Sequence, residues 1–157
     1  MIVETTGIVD GKIDDRFGKK GTQFDDGVPS RSLPLKISGA PAGTAAFAII
    51  MYDPDSEPVC GKVWTHWLAF MKVNRTELPE NASMEDPTLI QGRTTGGVDH
   101  YEGPDPPDRT HVYRLKVLAL DFEPVLRKGF KLETLERLSS KHVLAEATVK
   151  GEYSPAQ

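Results

Sequence analysis

The chain has little of several things that would assign a protein to a class at once. It carries one cysteine, Cys60, in 157 residues, which excludes an intramolecular disulfide and any zinc site built from several thiolates. It has no basic excess: 19 Lys and Arg against 23 Asp and Glu give a formal charge of -4. Such a chain lacks the electrostatic footprint of a nucleic-acid binder and the polybasic surface that attaches a protein to an anionic membrane. It also has no long apolar run. The longest uncharged stretch, Ile37 to Tyr52, is broken by Gly39, Pro41 and Gly43 and falls short of the ~18 residues of a spanning helix. Residues Met1 to Thr6 show neither the basic nor the apolar segment of a secretory leader. These absences predict a soluble, cytoplasmic protein working without nucleic acid or membrane insertion. The length predicts one domain, residues 1–157, able to bury roughly two-thirds of its unfolded surface.

What is present points to strands. Twelve prolines and fourteen glycines are spread along the chain, a pattern of short strands and frequent turns. Ile2 to Val9 reads as a strand and Asp10-Gly11 as a hairpin turn. Lys12 to Asp26 reads as an extended edge or loop layer anchored by Ile13, Phe17 and Phe24. Leu35 to Ser38 alternates like a half-exposed strand. Ala45 to Tyr52 is continuously apolar, as expected of a strand buried on both faces. A second buried strand, Val63 to Val73, is predicted to present Trp64, His66, Leu68 and Phe70 on one face. A third, His111 to Asp121, directs His111, Tyr113, Leu115, Val117 and Ala119 one way and Arg114 and Lys116 the other. Residues 74 to 110 form a long irregular stretch, of a length that is often functional. Leu132, Leu135 and Leu138 mark one short amphipathic helix. Ala145, Ala147, Val149 and Tyr153 mark a final strand interrupted by Gly151.

Residues with chemical potential cluster where these strands end. Asp53 and Asp55 follow the first buried strand, His66 lies in the second, and the rigid loop Gly103 to Pro107 leads to His111 at the start of the third. If the three strands are neighbours, carboxylates and imidazoles meet at one mouth. A carboxylate beside an imidazole favours the protonated ring while burial opposes it, and a cationic ring is suited to holding a phosphate. Taken singly, each feature has a plainer reading. Asp53-Pro54-Asp55 is a turn, His66 a hydrogen-bonded core residue, Trp64 and Trp67 core packing, Cys60 a small buried hydrophobe, and His100 and His142 surface residues.

Taken together, the segments resemble a known family. Tyr52 to Asp55, Trp64 to Trp67, Tyr101 to Pro107 and His111 to Tyr113 occur in the order found in the phosphatidylethanolamine-binding protein family, in its bacterial and archaeal branch often labelled Raf-kinase-inhibitor-like. The resemblance extends to Ser32 to Gly43, Leu89 to Gly92 and Leu144 to Tyr153. It implies a mainly β fold: a β-sandwich with a large central sheet, a smaller second sheet and one or two short helices. It implies a non-catalytic protein, without cofactor or metal, whose pocket binds phosphate or a phosphoethanolamine head group. The ligand-binding residues it implies are Asp53, Trp64, His66, Tyr101, Gly103, Pro106, Pro107, His111 and Tyr113. It also implies a protein partner such as a kinase or protease, by extension from eukaryotic relatives, and a homodimer.

The chain departs from the family pattern in three places. Val112 stands where arginine is usual, Asp105 introduces a carboxylate into the proline loop, and Ser56-Glu57-Pro58 alters the segment after Asp55. The first two weaken anion binding if they face the pocket. Two alternatives compete: an interaction protein with a vestigial pocket, and a hydrolase using Asp53 or Asp55 with His66 as general base. A zinc site from His66, His111 and a carboxylate suits the chemistry but matches no known metal spacing.

Overall fold

The computed structural model describes residues 1–156. Among the described residues there are twelve strands: β1 Ile2–Glu4, β2 Ile8–Val9, β3 Lys12–Ile13, β4 Phe24–Asp25, β5 Val28–Pro29, β6 Leu35–Ser38, β7 Ala46–Asp53, β8 Trp64–Lys72, β9 Glu77–Leu78, β10 Ile90–Gln91, β11 His111–Leu120 and β12 Val143–Tyr153. Three short helices accompany them, one more than the upper expectation: α1 Glu57–Cys60, α2 Ala82–Glu85 and α3 Leu132–Ser139. Seven strands form the large sheet in the order β10-β8-β7-β11-β12-β3-β2. A second sheet has the order β1-β6-β9, and β4-β5 is a separate hairpin. The predicted mainly β architecture of one large and one smaller sheet is therefore found.

The central strands are apolar throughout because both faces of the sheet are covered. Phe47, Ile49 and Met51 of β7 and Leu115, Val117 and Ala119 of β11 pack in one core with Val3, Leu35, Ile37 and Leu78 of the small sheet. Ala48, Ile50, Leu118 and Leu120 point the other way, into a second core closed by Phe130 and by Leu135 of α3. Strand alternation thus feeds two cores from one run of sequence.

Several local expectations are met for identifiable reasons. Asp10 and Gly11 both have positive φ, 52° and 78°, as a two-residue hairpin turn requires, and they pair Ile8 with Ile13. The predicted first strand is instead split, with residues 5–7 turning away between β1 and β2. Gly151 does not interrupt β12; it pairs with Tyr113. A Cβ there would come within 2.7 Å of Ile13 Cγ1, so glycine permits β3 to lie close.

The largest departure concerns β8. Met51 pairs with Trp67 but Tyr52 pairs with Thr65, so His66 is an extra residue, a β-bulge. Beyond the bulge Trp67, Ala69 and Met71 join the core between the sheets, while Leu68 and Phe70 enter the opposite one. His66 therefore does not share a face with Leu68 and Phe70. It lies on the side of Tyr113, with ring centroids 5.1 Å apart.

Ile49 is fully buried at the middle of the sheet. Ile49→Ala is expected to lower unfolding free energy by about 2–5 kcal/mol in chemical denaturation; a loss below about 1 kcal/mol would contradict the packing described.

Candidate functional site

The ends of β7, β8 and β11 meet at one mouth because β7 lies between β8 and β11 in the sheet. A cavity of about 240 Å³ opens there, lined by Asp53, Trp64, His66, Pro106, Pro107, His111 and Tyr113, together with Ser56, Cys60, Glu102 and Asp105. Two larger hollows, of about 600 and 590 Å³, lie elsewhere. In the first, His100 is spent on Asp25 and Asp99 on Arg93. The second runs beside Pro34, Leu35 and Pro79 and holds no histidine. Convergent polar groups on a rigid frame single out the smaller cavity.

Each wall has a local cause. Pro54 ends β7, and the chain passes through a single 3₁₀ turn, Pro54–Ser56, capped by Asp53 Oδ1, which accepts from the Asp55 N–H at 2.9 Å. Ser56 Oγ accepts from the Trp64 N–H at 2.9 Å, tying this turn to the start of β8. The altered segment after Asp55 thus supplies a strut between two walls. Asp55 Oδ2 accepts from the Val112 N–H at 2.8 Å, tying the turn to β11 as well.

The two histidines are held in opposite ways. His66 is 5% exposed, and its Nδ1–H donates to the Glu102 carbonyl at 2.6 Å. Among the described residues its Nε2 has no protein partner. Burial pushes the His66 pKa below the ordinary 6.5; the Glu102 carbonyl and the charges of Glu102 and Asp53 offset this only in part, and His111 adds to it. His66 is therefore neutral near pH 7, with the Nε2 lone pair toward the cavity. His111 is 1% exposed, with Nδ1 2.5 Å from Asp53 Oδ2 and Nε2 2.7 Å from Asp108 Oδ1. Burial opposes its charge, but hydrogen bonds and charges from Asp53 and Asp108 outweigh burial and raise its pKa. Tyr113 lies beside both rings. Burial first, then the Asp53 charge, raises its pKa, so its hydroxyl stays a donor.

Seven of the nine residues that the family resemblance implied line the cavity. Tyr101 and Gly103 do not. Tyr101 is fully buried against Trp67, with ring centroids 5.6 Å apart, and its hydroxyl donates to the Phe17 carbonyl at 2.8 Å. Gly103 donates its N–H to the Pro29 carbonyl at 2.8 Å, and a Cβ there would collide with the Phe17 carbonyl oxygen. Both brace the loop from behind. Glu102, between them, is part of the cavity lining, while its carboxylate accepts from Thr94 Oγ1 at 2.7 Å and from the Gly96 N–H at 3.1 Å. Asp108 was also missed, although its spacing of three from His111 is visible. Cys60 is exposed at the rim, contrary to expectation, because α1 is a surface turn. His100 is largely covered, bonded to Tyr101 O and facing Asp25, whereas His142 is exposed as expected. The Asp53–His66 pair of the hydrolase alternative does not form, since Asp53 is bonded to His111 and to the Asp55 amide.

A two-sheet β domain with a histidine and carboxylate cavity at the ends of its central strands is the class that fold and site define. The sequence matches the phosphatidylethanolamine-binding protein family over residues 5–154, and the chain belongs to that family. YxkA of Bacillus subtilis (strain 168), an uncharacterized protein, is 37% identical over 138 residues, covering 80% of this chain and 82% of its own. A UPF0098 protein of Methanothermobacter thermautotrophicus is 36% identical over 126 residues, covering 78% and 82%. The crystal structure of E. coli YbcL, described as a new member of the mammalian PEBP family, matches with a TM-score of 0.82 at 27% identity over 99% of this chain and 98% of its own. CT736 of Chlamydia trachomatis matches with a TM-score of 0.84 at 26% identity over 98% and 97%. Among the described residues no helix is long and apolar enough to cross a membrane.

At pH 7, nitrogen-detected NMR is expected to show His111 with both ring nitrogens protonated and His66 with Nε2 bare; a neutral His111 would refute the assignment. Because the folded-state pKa of His111 is raised, its contribution to stability is complete below the ordinary 6.5. It is lost as pH rises through the raised value. Asp53→Ala, which leaves a buried charge without its inner partner, should cost about 3–5 kcal/mol at pH 6.

Proposed function

We propose that this protein is a non-catalytic binding module whose cavity takes the phosphate of a phosphoethanolamine-type head group. The observation that carries this reading is the pair of unspent groups inside the cavity, His66 Nε2 and the Tyr113 hydroxyl, set beside the cationic ring of His111. A hydroxyl and a protonated imidazole are the donors a phosphate oxygen needs. Trp64 and the two prolines supply apolar walls of fixed shape, so little order is lost when a ligand enters. Membership of a family described as phosphatidylethanolamine-binding supports the same reading.

Asp105 decides between a bare anion and a zwitterion. It lines the cavity and is exposed, and it stands on the loop beside Pro106 and Pro107. A carboxylate there repels free phosphate but pairs with an ammonium one ethylene unit away. The favoured ligand therefore carries both charges, with phosphate inward at His66 and Tyr113 and ammonium outward at Asp105.

Binding takes up a proton. The ring of His66, faced by Glu102, Asp53, His111 and Tyr113, is neutral before binding, and an anion at Nε2 stabilises the protonated form. Above the pKa of the free ring, affinity should fall by about tenfold per pH unit until the pKa of the bound ring is reached. Sulfate, whose charge is constant over this range, isolates that proton from the ligand's own.

Titration with O-phosphorylethanolamine, phosphate and sulfate at pH 6.5 and pH 8, followed by NMR, tests the reading. Saturable shifts are expected at His66, Tyr113 and residues 102–105, weaker at pH 8 for all three and abolished in a folded His66→Ala variant. Asp105→Asn should tighten phosphate and weaken O-phosphorylethanolamine. Equal binding by His66→Ala and the parent would overturn the assignment.

A further inference from the structure

His111 raises a question that the cavity alone does not answer. Both of its ring nitrogens are already bonded to carboxylates, at 2.5 Å from Asp53 and 2.7 Å from Asp108. Two acceptors require two N–H groups, so the ring is an imidazolium whose donors are both spent within the protein.

The two carboxylates differ in how they are held. The Asp53 side chain is 3% exposed, ends a central strand, and has its second oxygen fixed by the Asp55 amide. It belongs to the scaffold. The Asp108 side chain is 38% exposed and sits on the loop that follows Pro106 and Pro107. Apart from His111, its nearest charged neighbour is Arg109, whose Nε lies 3.8 Å from Asp108 Oδ2, too far for a hydrogen bond. Arg109 is equally far from Asp55, at 3.8 Å. Apart from local backbone N–H groups of Asp108 and Arg109, Asp108 is tethered by one side-chain contact, a carboxylate oxygen on an imidazolium N–H. A phosphate oxygen would make the same contact.

We propose that Asp108 is the internal stand-in for an anionic ligand at His111, an exchangeable carboxylate that the ligand must displace to reach the Nε2–H donor of that ring. With Asp108 docked, only His66 and Tyr113 meet the ligand. With Asp108 swung outward, His111 Nε2 becomes available and the displaced carboxylate has Arg109 beside it. Asp108 is then a specificity-determining residue. Weak anions leave it in place, and only a ligand able to occupy His66 and His111 together replaces it. The inference rests on the anion-binding reading proposed above.

Three proteins separate the possibilities: the parent, Asp108→Asn and Asp108→Ala, each checked for an unchanged fold by its amide spectrum and titrated with phosphate and O-phosphorylethanolamine at pH 6.5. Asp108→Asn removes the charge but keeps an acceptor, whereas Asp108→Ala removes both. The expected result is tighter binding in Asp108→Ala by tenfold or more, with Asp108→Asn between it and the parent. In the parent, saturating ligand should also move the His111 Nε2–H signal, detected directly by nitrogen-edited NMR. Binding by Asp108→Ala with a silent parent supports the proposal in its strongest form. Several results would overturn it: equal or weaker binding by Asp108→Ala, identical gains in both variants (charge repulsion alone), or a His111 signal unmoved at saturation. If none of the three binds any anion, both this inference and the reading beneath it fail. Binding that still depends on His66 but ignores Asp108 removes this inference alone.

Discussion

The register between β7 and β8 carries one extra residue, and the site depends on it. β-strands send alternate side chains to opposite faces, so a residue's face is fixed by its place in the run. Without an insertion, a strand that buries Trp67, Ala69 and Met71 between the sheets would send His66 to the opposite side. The bulge at His66 breaks that parity once. It places His66 beside Tyr113 and still leaves Trp67 facing Tyr101. Bulges are common next to functional sites because they re-aim a side chain without ending the strand. Here the cost is one unpaired residue at the end of a strand whose other residues are held by β7 on one side.

The same sheet explains how charged groups can sit in so dry a place. Asp53 and His111 are each at most 3% exposed by side chain, and two isolated charges there would be strongly disfavoured. They persist because they neutralise each other and because a further partner holds each: the Asp55 amide bonds Asp53, and the Asp108 carboxylate bonds His111 Nε2. The pair joins the end of β7 to the start of β11, two neighbouring strands already held by their ladder and apolar packing. Rigidity of the site is then a consequence of burial. Neither residue can move without exposing an unpaired charge to a low-dielectric interior.

Much of this was legible in the sequence, and what was not had a physical reason. The unbroken apolar run ending at Tyr52, the alternation from His111 to Ala119 and the leucines of α3 announced their elements because burial imposes a period on them. The ordered segments around Asp53, His66 and His111 resembled a family and so brought distant strands to one mouth, which no local pattern could have done. The bulge was invisible, since a single inserted residue leaves Trp64 to Phe70 looking like uniform alternation. Tyr101 and Gly103 were assigned to the cavity as members of a loop. Their side is decided by Phe17 and Pro29, more than seventy positions earlier in the chain. Cys60 and His100 were misjudged for a related reason: residue type gives a tendency, and the short helix and the Asp25 contact override it.

The two histidines show what the environment adds to residue type. They begin with the same ordinary pKa and line one cavity, yet they are driven in opposite directions. His66 receives a neutral carbonyl at one nitrogen and burial around the rest, so its charge is suppressed. His111 receives two carboxylates and keeps its charge despite burial. Pairs of titratable groups pushed apart in this way mark a division of labour. Two carboxylates hold one ring as a cation, and a carbonyl leaves the ring beside it neutral with its Nε2 open to a proton. Two imidazolium rings in one cavity would oppose folding by their mutual repulsion, the direction in which His111 already moves His66. The asymmetry of hydrogen-bond partners, a carbonyl at one ring and carboxylates at the other, is therefore what gives one cavity two imidazoles of opposite charge preference.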